Sequence, residues 1–380
     1  MALLNHLFDY LLVMAGWIVV GIVLFYVLVT QWRRSKDNPR RRLFLQIGLS
    51  TWMVLALLTL VELYFAVIYD STDSFSMTNV SKKWYAVHAD PQRRPLEISN
   101  GAGFNYRDVC DFPKRLADGQ QRVCFFGDSF TFGHGIPRIE DRFSNRVAVE
   151  LEKKRPGEFV VANLGDAGID LHWIELQLTK LFEAGFQIDT AVYVICLNDI
   201  ETFHPRHATF YNDFSERVGA PKFFLFRDTY FFNLMYFRLR QSSVPEVTNY
   251  YEFVQEYYDG EPWQKMQLKL DQVAELCSDN DADFRIVIFP FLHNLGPEYP
   301  FRSAHQQIVD YCQNKTIPVV DLEPILSKHV EEGLIVSRFD AHPNERANEL
   351  AAEAIQNDLF RDFFSNGPAE KKSADSTNNP

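Results

Sequence analysis

The run Arg122-Val123-Cys124-Phe125-Phe126-Gly127-Asp128-Ser129-Phe130-Thr131-Phe132-Gly133 decides how the rest of the chain is read. After Arg122, four apolar residues end at a glycine, which is the pattern of a short buried strand. Flanking glycines let the backbone turn sharply and leave a hydroxyl exposed on the turn. Asp128 and Ser129 can also begin a helical turn, whose backbone N–H groups point at an anion.

Working outward, strand-like and helix-like runs alternate. Strands are expected at Arg122–Phe126, Phe159–Asn163, Thr190–Leu197, Phe284–Phe289 and Pro318–Asp321. Helices are expected at Asp141–Lys154, Leu171–Ala184, Trp263–Ser278, Ser303–Asn314 and Glu345–Phe364, the last capped by Asn344. Alternating β and α units imply a parallel sheet covered on both faces, here a three-layer α/β/α domain. In that fold class a Ser at the carboxyl end of a first strand lies where ligands bind.

A serine nucleophile needs a base, and the base needs an orienting group. Asp340-Ala341-His342-Pro343-Asn344, just before the last helix, offers both on one short loop. Histidine titrates in the range that general-base work requires. Acyl transfer also needs donors for the oxyanion. Asn163-Leu164-Gly165-Asp166-Ala167-Gly168 follows the second strand, and Asn198-Asp199 follows the third. A glycine N–H and an asparagine amide from these loops would join the Ser129 N–H.

These blocks resemble those of the SGNH hydrolases, also called GDSL esterases and lipases. Gly127 to Gly133 matches the first block, with Ser129 as nucleophile. Gly168, five residues after Asn163, matches the second; Asn198 matches the third; Asp340 and His342 match the fifth. In order and spacing they cover residues 122–360. The resemblance implies a flavodoxin-like fold, hydrolysis or transfer of acyl groups, and an oxyanion hole of Ser129 N–H, Gly168 N–H and the Asn198 side chain. Two positions depart from the pattern. Cys196 stands where the third block has glycine, and Asp340-x-His342 is shorter than the usual spacing, as in members acting on O-acetylated glycans. Asp321 and Glu323 remain alternative acids for His342.

The N-terminus reads differently. Tyr10 to Thr30 carries no charge, and Leu43 to Tyr69 carries only Glu62. Each is long enough to cross a bilayer core of about 30 Å, the second with some tilt. Between them, residues 31–42 hold Arg33, Arg34, Lys36, Arg40, Arg41 and Arg42 against Asp37. The positive-inside bias makes that loop cytoplasmic and sets the following domain outside the cytoplasm. The whole chain has 38 Lys plus Arg and 50 Asp plus Glu, a formal charge of −12. Its acidic part lies after residue 69, which argues against a nucleic-acid partner. The organisation expected is a membrane anchor over 1–69, a lead-in over 70–120, an SGNH hydrolase domain over 121–365 and a disordered polar tail over 366–380.

Residues 200–262 do not fit the alternation. Eighteen aromatics fall in the 61 positions of 203–263, about twice the chain's 14% average. They read either as a subdomain with its own aromatic core or as a cap lining a substrate groove. Glu201-x-x-His204-x-x-His207 spaces like a metal site but contains Pro205 and reads as ordinary loop. Among five cysteines, Cys110 with Cys124 is the nearest pair and Cys277 with Cys312 a second, while Cys196 reads as a buried small hydrophobe. No nucleotide motif appears, and neither cofactor nor metal is expected. The function expected is a membrane-anchored extracytoplasmic serine esterase acting on an acylated glycan. A lysophospholipase acting on lipid esters and a non-catalytic glycan-binding protein on the same scaffold are the alternatives.

Overall fold

Each apolar run that ends in Gly, Asn, Cys, Phe or Asp forms a strand of one parallel sheet. In the computed structural model, residues 2–99, 102–108, 111–205, 217–244 and 250–365 are described. The chain divides into two units. One comprises Arg94–Asp199, Gln264–Leu334 and Pro343–Pro380; the other comprises Met1–Arg93, Ile200–Trp263 and Ile335–His342.

In the first unit, β1 (Arg93–Ser99) and β2 (Ala102–Arg107) make a two-stranded sheet. Strands β3 (Gln121–Gly127), β4 (Phe159–Asn163), β5 (Thr190–Cys196), β6 (Asp283–Phe289) and β7 (Val319–Asp321) make a five-stranded sheet in the order β4-β3-β5-β6-β7. Every pairing in it is parallel, with Val123 opposite both Val161 and Thr190. All seven residues of β5 are buried, as a strand covered on both faces requires.

Side-chain links identify the two outer layers. The Phe125 ring packs on Phe143 and Phe360, which places helix Phe143–Lys154 and the C-terminal segment on one face. On the other, Lys269 pairs with Glu175 at 2.8 Å, and Tyr311 donates to Asp271 at 2.8 Å. Those two links join helices Leu171–Glu183, Glu261–Asp279 and Arg302–Asn314 in one row. The result is the expected three-layer α/β/α arrangement with flavodoxin-like strand order, and the order reverses between β3 and β5.

The predicted elements of this unit are present, with ends moved by at most two residues, apart from the last helix. That helix runs only over Glu345–Ala354, passes through a π turn at Ile355–Leu359 and resumes at Arg361–Ser365. Arg285 explains the break. Its guanidinium donates to the Leu359 carbonyl at 2.5 Å and binds the Asp362 carboxylate at 2.6 and 2.9 Å, diverting that carbonyl from the helical ladder. Cys196, Cys277 and Cys312 are buried free thiols, so Cys277 and Cys312 do not pair. Cys110 lies outside the described residues.

In the second unit, helices Ala2–Arg34 and Pro39–Leu63 form an antiparallel pair. Trp17 donates to Thr59 at 3.3 Å, and Trp52 to the Gly21 carbonyl at 2.8 Å, so positions climb one helix as they descend the other. The connection is only residues 35–38. Of the six basic residues expected in a loop, five lie on the helices and Lys36 alone in the turn. Leu7–Arg34 and Pro39–Ile68 are long and apolar enough to cross a membrane by length and composition, with Val13, Tyr26, Phe44 and Met53 among the exposed side chains.

Two buried charges organise the end of this pair. The Glu62 carboxylate accepts from Tyr10 Oη at 2.5 Å, from the Phe231 N–H at 2.9 Å and from the Tyr230 N–H, capping helix Phe231–Gln241. The Lys83 ammonium donates to the carbonyls of Phe65, Ala66 and Tyr69 at 3.1, 3.1 and 2.6 Å, which closes the π turn Tyr64–Ile68 that follows the second helix. Ala66, Val80, Tyr230 and Leu234 form the buried cluster around these groups. Val218, Phe237 and Val244 form another with Met77 and Tyr236. Tyr230 and Leu234 of the 200–262 insertion thus pack against Leu7 and Tyr10 of the first helix. Residues 206–216 and 245–249 of the insertion lie outside the described residues.

Glu62→Ala should cost on the order of 3 kcal/mol, because buried N–H and hydroxyl donors lose their acceptor. Thermal unfolding of the full chain in detergent micelles checks this. Glu62→Gln, which keeps one acceptor oxygen, should lose less, and an unchanged midpoint for the alanine variant would contradict the assignment.

Candidate active site

Ser129 begins the four-residue helix Ser129–Phe132 directly beyond β3. Asp128 caps that helix, its carboxylate accepting the Phe130 N–H at 2.9 Å. The chain reaches this turn through a space that admits no Cβ. At Gly127 a Cβ would lie 2.2 Å from Thr131 Oγ1 and 2.8 Å from the Val194 carbonyl oxygen. At Gly165, on the neighbouring loop, it would lie 2.7 Å from the Phe132 nitrogen. Gly127 is needed where the turn closes against Thr131 and the neighbouring strand β5, and Gly165 where its loop meets the backbone of that turn.

Asn163 fastens them together. Its amide donates to the Thr131 carbonyl at 2.6 Å and to Ser144 Oγ at 2.7 Å, while its oxygen accepts the Gly165 N–H at 3.1 Å. The Asp166 N–H then bonds the Gly127 carbonyl at 3.2 Å, pinning the loop after β4 beside the end of β3. Gly168 is exposed further along that loop. On the opposite side of β3, β5 runs into a 3₁₀ segment over Leu197–Phe203 that carries Asn198. Asp199 anchors the segment by accepting from Tyr193 Oη at 2.6 Å and from the Cys196 N–H at 3.2 Å. Ser129, Gly168 and Asn198 thus stand at the carboxyl ends of three adjacent strands, β3, β4 and β5, around the point where strand order reverses.

Two buried carboxyls underlie this edge. Burial raises Asp128 to about 6, opposed by its hydrogen bonds to Phe130 and Ser129 and by His134. Burial, with the charge of Asp128 added, holds Asp199 well above the usual carboxylate range. The hydrogen bond from Tyr193 pulls it the other way.

Asp340 and His342 lie in the other unit. They sit on strand β9 (Asp340–Pro343), paired with β8 (Ile335–Ser337), and not on the loop that the sequence suggested. Alternation of side chains along a strand puts residues 340 and 342 on the same face, so the two groups meet. His342 Nδ1 lies 2.5 Å from Asp340 Oδ1, and the His342 N–H bonds the same oxygen at 3.1 Å. An acid at Nδ1 makes that nitrogen the donor and puts the lone pair of the neutral ring on Nε2, the tautomer a general base needs. The other Asp340 oxygen accepts from Thr72 Oγ1. Ser74 ties the same strand through the Ala341 N–H at 3.1 Å.

The alternative acids are engaged elsewhere. Asp321 pairs with buried His305 at 2.7 Å, and Glu323 pairs with Arg302 at 3.1 Å. His204, considered above as a metal ligand, stacks on Tyr257 with ring centroids 4.3 Å apart, and His207 lies outside the described residues. Burial raises Glu201 to about 7.

The sequence reading missed the supports. Arg107 donates to the carbonyls of Gly133, Ile136 and Pro137 at 3.0, 2.7 and 3.2 Å. Asp108 accepts from the Asn163 N–H at 2.8 Å and from the Asn145 amide at 3.1 Å. Both belong to the lead-in, where a single Arg-Asp pair gives no recognisable signal.

No family model matches the chain, and no curated protein does. Among solved structures the chain is similar to a two-domain esterase active on acetylated mannans, at 15% identity and a TM-score of 0.40. The alignment covers 66% of this chain and 52% of that one, so the chain spans about half the length of that esterase. It is similar to an acetyl xylan esterase from Geobacillus stearothermophilus, at 15% identity and a TM-score of 0.40, covering 63% and 95% of the two chains. A lipolytic G-D-S-L protein from Veillonella parvula gives 15% identity and a TM-score of 0.35, covering 63% and 99%. At these values the functional reading rests on the chain's own residues.

The raised Asp128 carboxyl has a thermodynamic consequence. The folded state binds its proton more tightly than the unfolded chain does, so stability falls as pH rises from about 4 to about 6. Asp128→Asn keeps a capping oxygen and removes the titration. Denaturant unfolding of the two proteins from pH 4 to pH 7 should show the variant gaining on the parent by on the order of 2–3 kcal/mol. A difference independent of pH would contradict this.

Proposed function

We propose that this protein is a serine esterase of the SGNH type. The observation that carries the reading is the grouping of Ser129, Gly168 and Asn198 at the carboxyl ends of three adjacent strands. The hydrogen-bonded Asp340–His342 pair adds a base with its orienting acid. Ser129 attacks an ester carbonyl, His342 takes its proton and later delivers it to the leaving alcohol, and Asp340 holds the ring tautomer. The N–H groups of Ser129 and Gly168 and the Asn198 amide stabilise the oxyanion. Water, or a second hydroxyl in a transfer reaction, resolves the acyl-enzyme.

The two apolar helices anchor the chain in a membrane, and the basic residues around their turn hold it on the cytoplasmic side. The esterase then works outside the cytoplasm, on O-acyl groups of a polysaccharide or envelope glycan. The short Asp340-x-His342 spacing, which resembles that of members acting on O-acetylated glycans, favours this substrate over a lipid ester. The esterase from Geobacillus stearothermophilus and the two-domain esterase likewise act on acetylated glycans, xylan and mannan respectively.

Hydrolysis of p-nitrophenyl acetate and palmitate by the full chain, beside acetate release from acetylated xylan, tests both halves. Ser129→Ala should lower kcat by on the order of 10⁴-fold or more, and Asn198→Ala by on the order of 10²–10³-fold. Acetate esters should be preferred to palmitate. Near-normal turnover by the Ser129 variant would refute the mechanism, and preference for palmitate would refute the glycan reading.

A further inference from the structure

A cavity of about 900 Å³ opens within the unit that holds the two apolar helices. Tyr10, Val13, Met14 and Trp17 line it from the first helix. Leu55, Leu58, Thr59 and Glu62 line it from the second. Both sets follow the i, i+3, i+4, i+7 spacing of one helical face, so two apolar stripes confront each other. Residues of 224–232 complete most of the lining. Its size lies near the top of the range for small-molecule sites.

The lining is mostly apolar but carries charged members. Asp9, Lys82, Arg227 and Asp228 all belong to it. Arg227 and Asp228 already neutralise each other at 2.7 Å. Glu62 is occupied by its three donors. Asp9 and Lys82 remain, and among the described residues neither side chain has an ion pair or hydrogen bond. The cavity therefore offers a hydrocarbon slot with one carboxylate and one ammonium in its lining.

We propose that this cavity binds one diacyl phospholipid with an ethanolamine headgroup. The acyl chains fill the slot between the helices, as a concavity at membrane depth requires, since no water is available to fill it. The phosphate faces Lys82, and the primary ammonium donates to Asp9. A choline headgroup has no N–H to donate, and a glycerol headgroup leaves Asp9 beside a net negative charge. This inference rests on the two helices crossing a bilayer and is independent of the esterase chemistry.

Native mass spectrometry of the full chain, released from nanodiscs of equal palmitoyl-oleoyl phosphatidylethanolamine, phosphatidylcholine and phosphatidylglycerol, tests it. One ethanolamine lipid should be retained at about tenfold higher occupancy than either competitor, a 1.4 kcal/mol preference. Leu58→Trp fills the slot and should abolish retention. Asp9→Asn, on an exposed position, should leave a lipid bound but erase the preference over choline. Equal retention of the three lipids, preferential retention of phosphatidylglycerol, or variants that behave as the parent would overturn the proposal. Failure of the chain to enter nanodiscs would instead refute membrane insertion.

Discussion

The backbone contact between the turn after β3 and the loop after β4 is the constraint on which the candidate site depends. Gly165 lets the two segments approach closer than any side chain permits, while Gly127 lets the turn close against Thr131 and the Val194 carbonyl of β5. Once they do, Asn163 reaches both, and Asp108 reaches Asn163. Arg107 and Arg142 then collect the carbonyls that the tight turn leaves over. Ser129 is held by the sum of these bonds, so its position owes little to its own side chain.

Burial of polar groups is the recurring cost of this arrangement. Asp128 and Asp199 sit under the sheet edge as carboxyls that resist ionisation, because little water reaches them and, at Asp199, because the Asp128 charge is near. Glu62 and Lys83 show another solution. Each is buried but meets two or three backbone groups at a helix end, where orphan N–H or carbonyl groups need a partner.

The layers were legible because strands such as β5 are continuous apolar runs bounded by turn residues, and their helices show a clear period. The positions of Ser129 and Asn198 were legible for the same reason, each lying two residues beyond a strand end, and Gly168 lies five residues beyond one. What the sequence hid depends on distance along the chain. Thr72 meets Asp340 across 268 residues, and Glu62 meets Tyr230 across 168. No local pattern marks either partner. The Asp340–His342 strand was read as loop because four residues bounded by a proline carry too little alternation to register. The aromatic insertion left two readings open because aromatic density alone does not say which surface the rings cover.

The central claim is that Ser129 is an activated nucleophile, and covalent labelling tests it most directly. The full chain should take up one fluorophosphonate, read by intact mass, with the adduct mapped to the peptide containing Ser129. Ser129→Ala should abolish the adduct, and His342→Ala should slow its formation severely while the protein stays folded. An adduct on another residue, or labelling that survives in the Ser129 variant, would contradict the account.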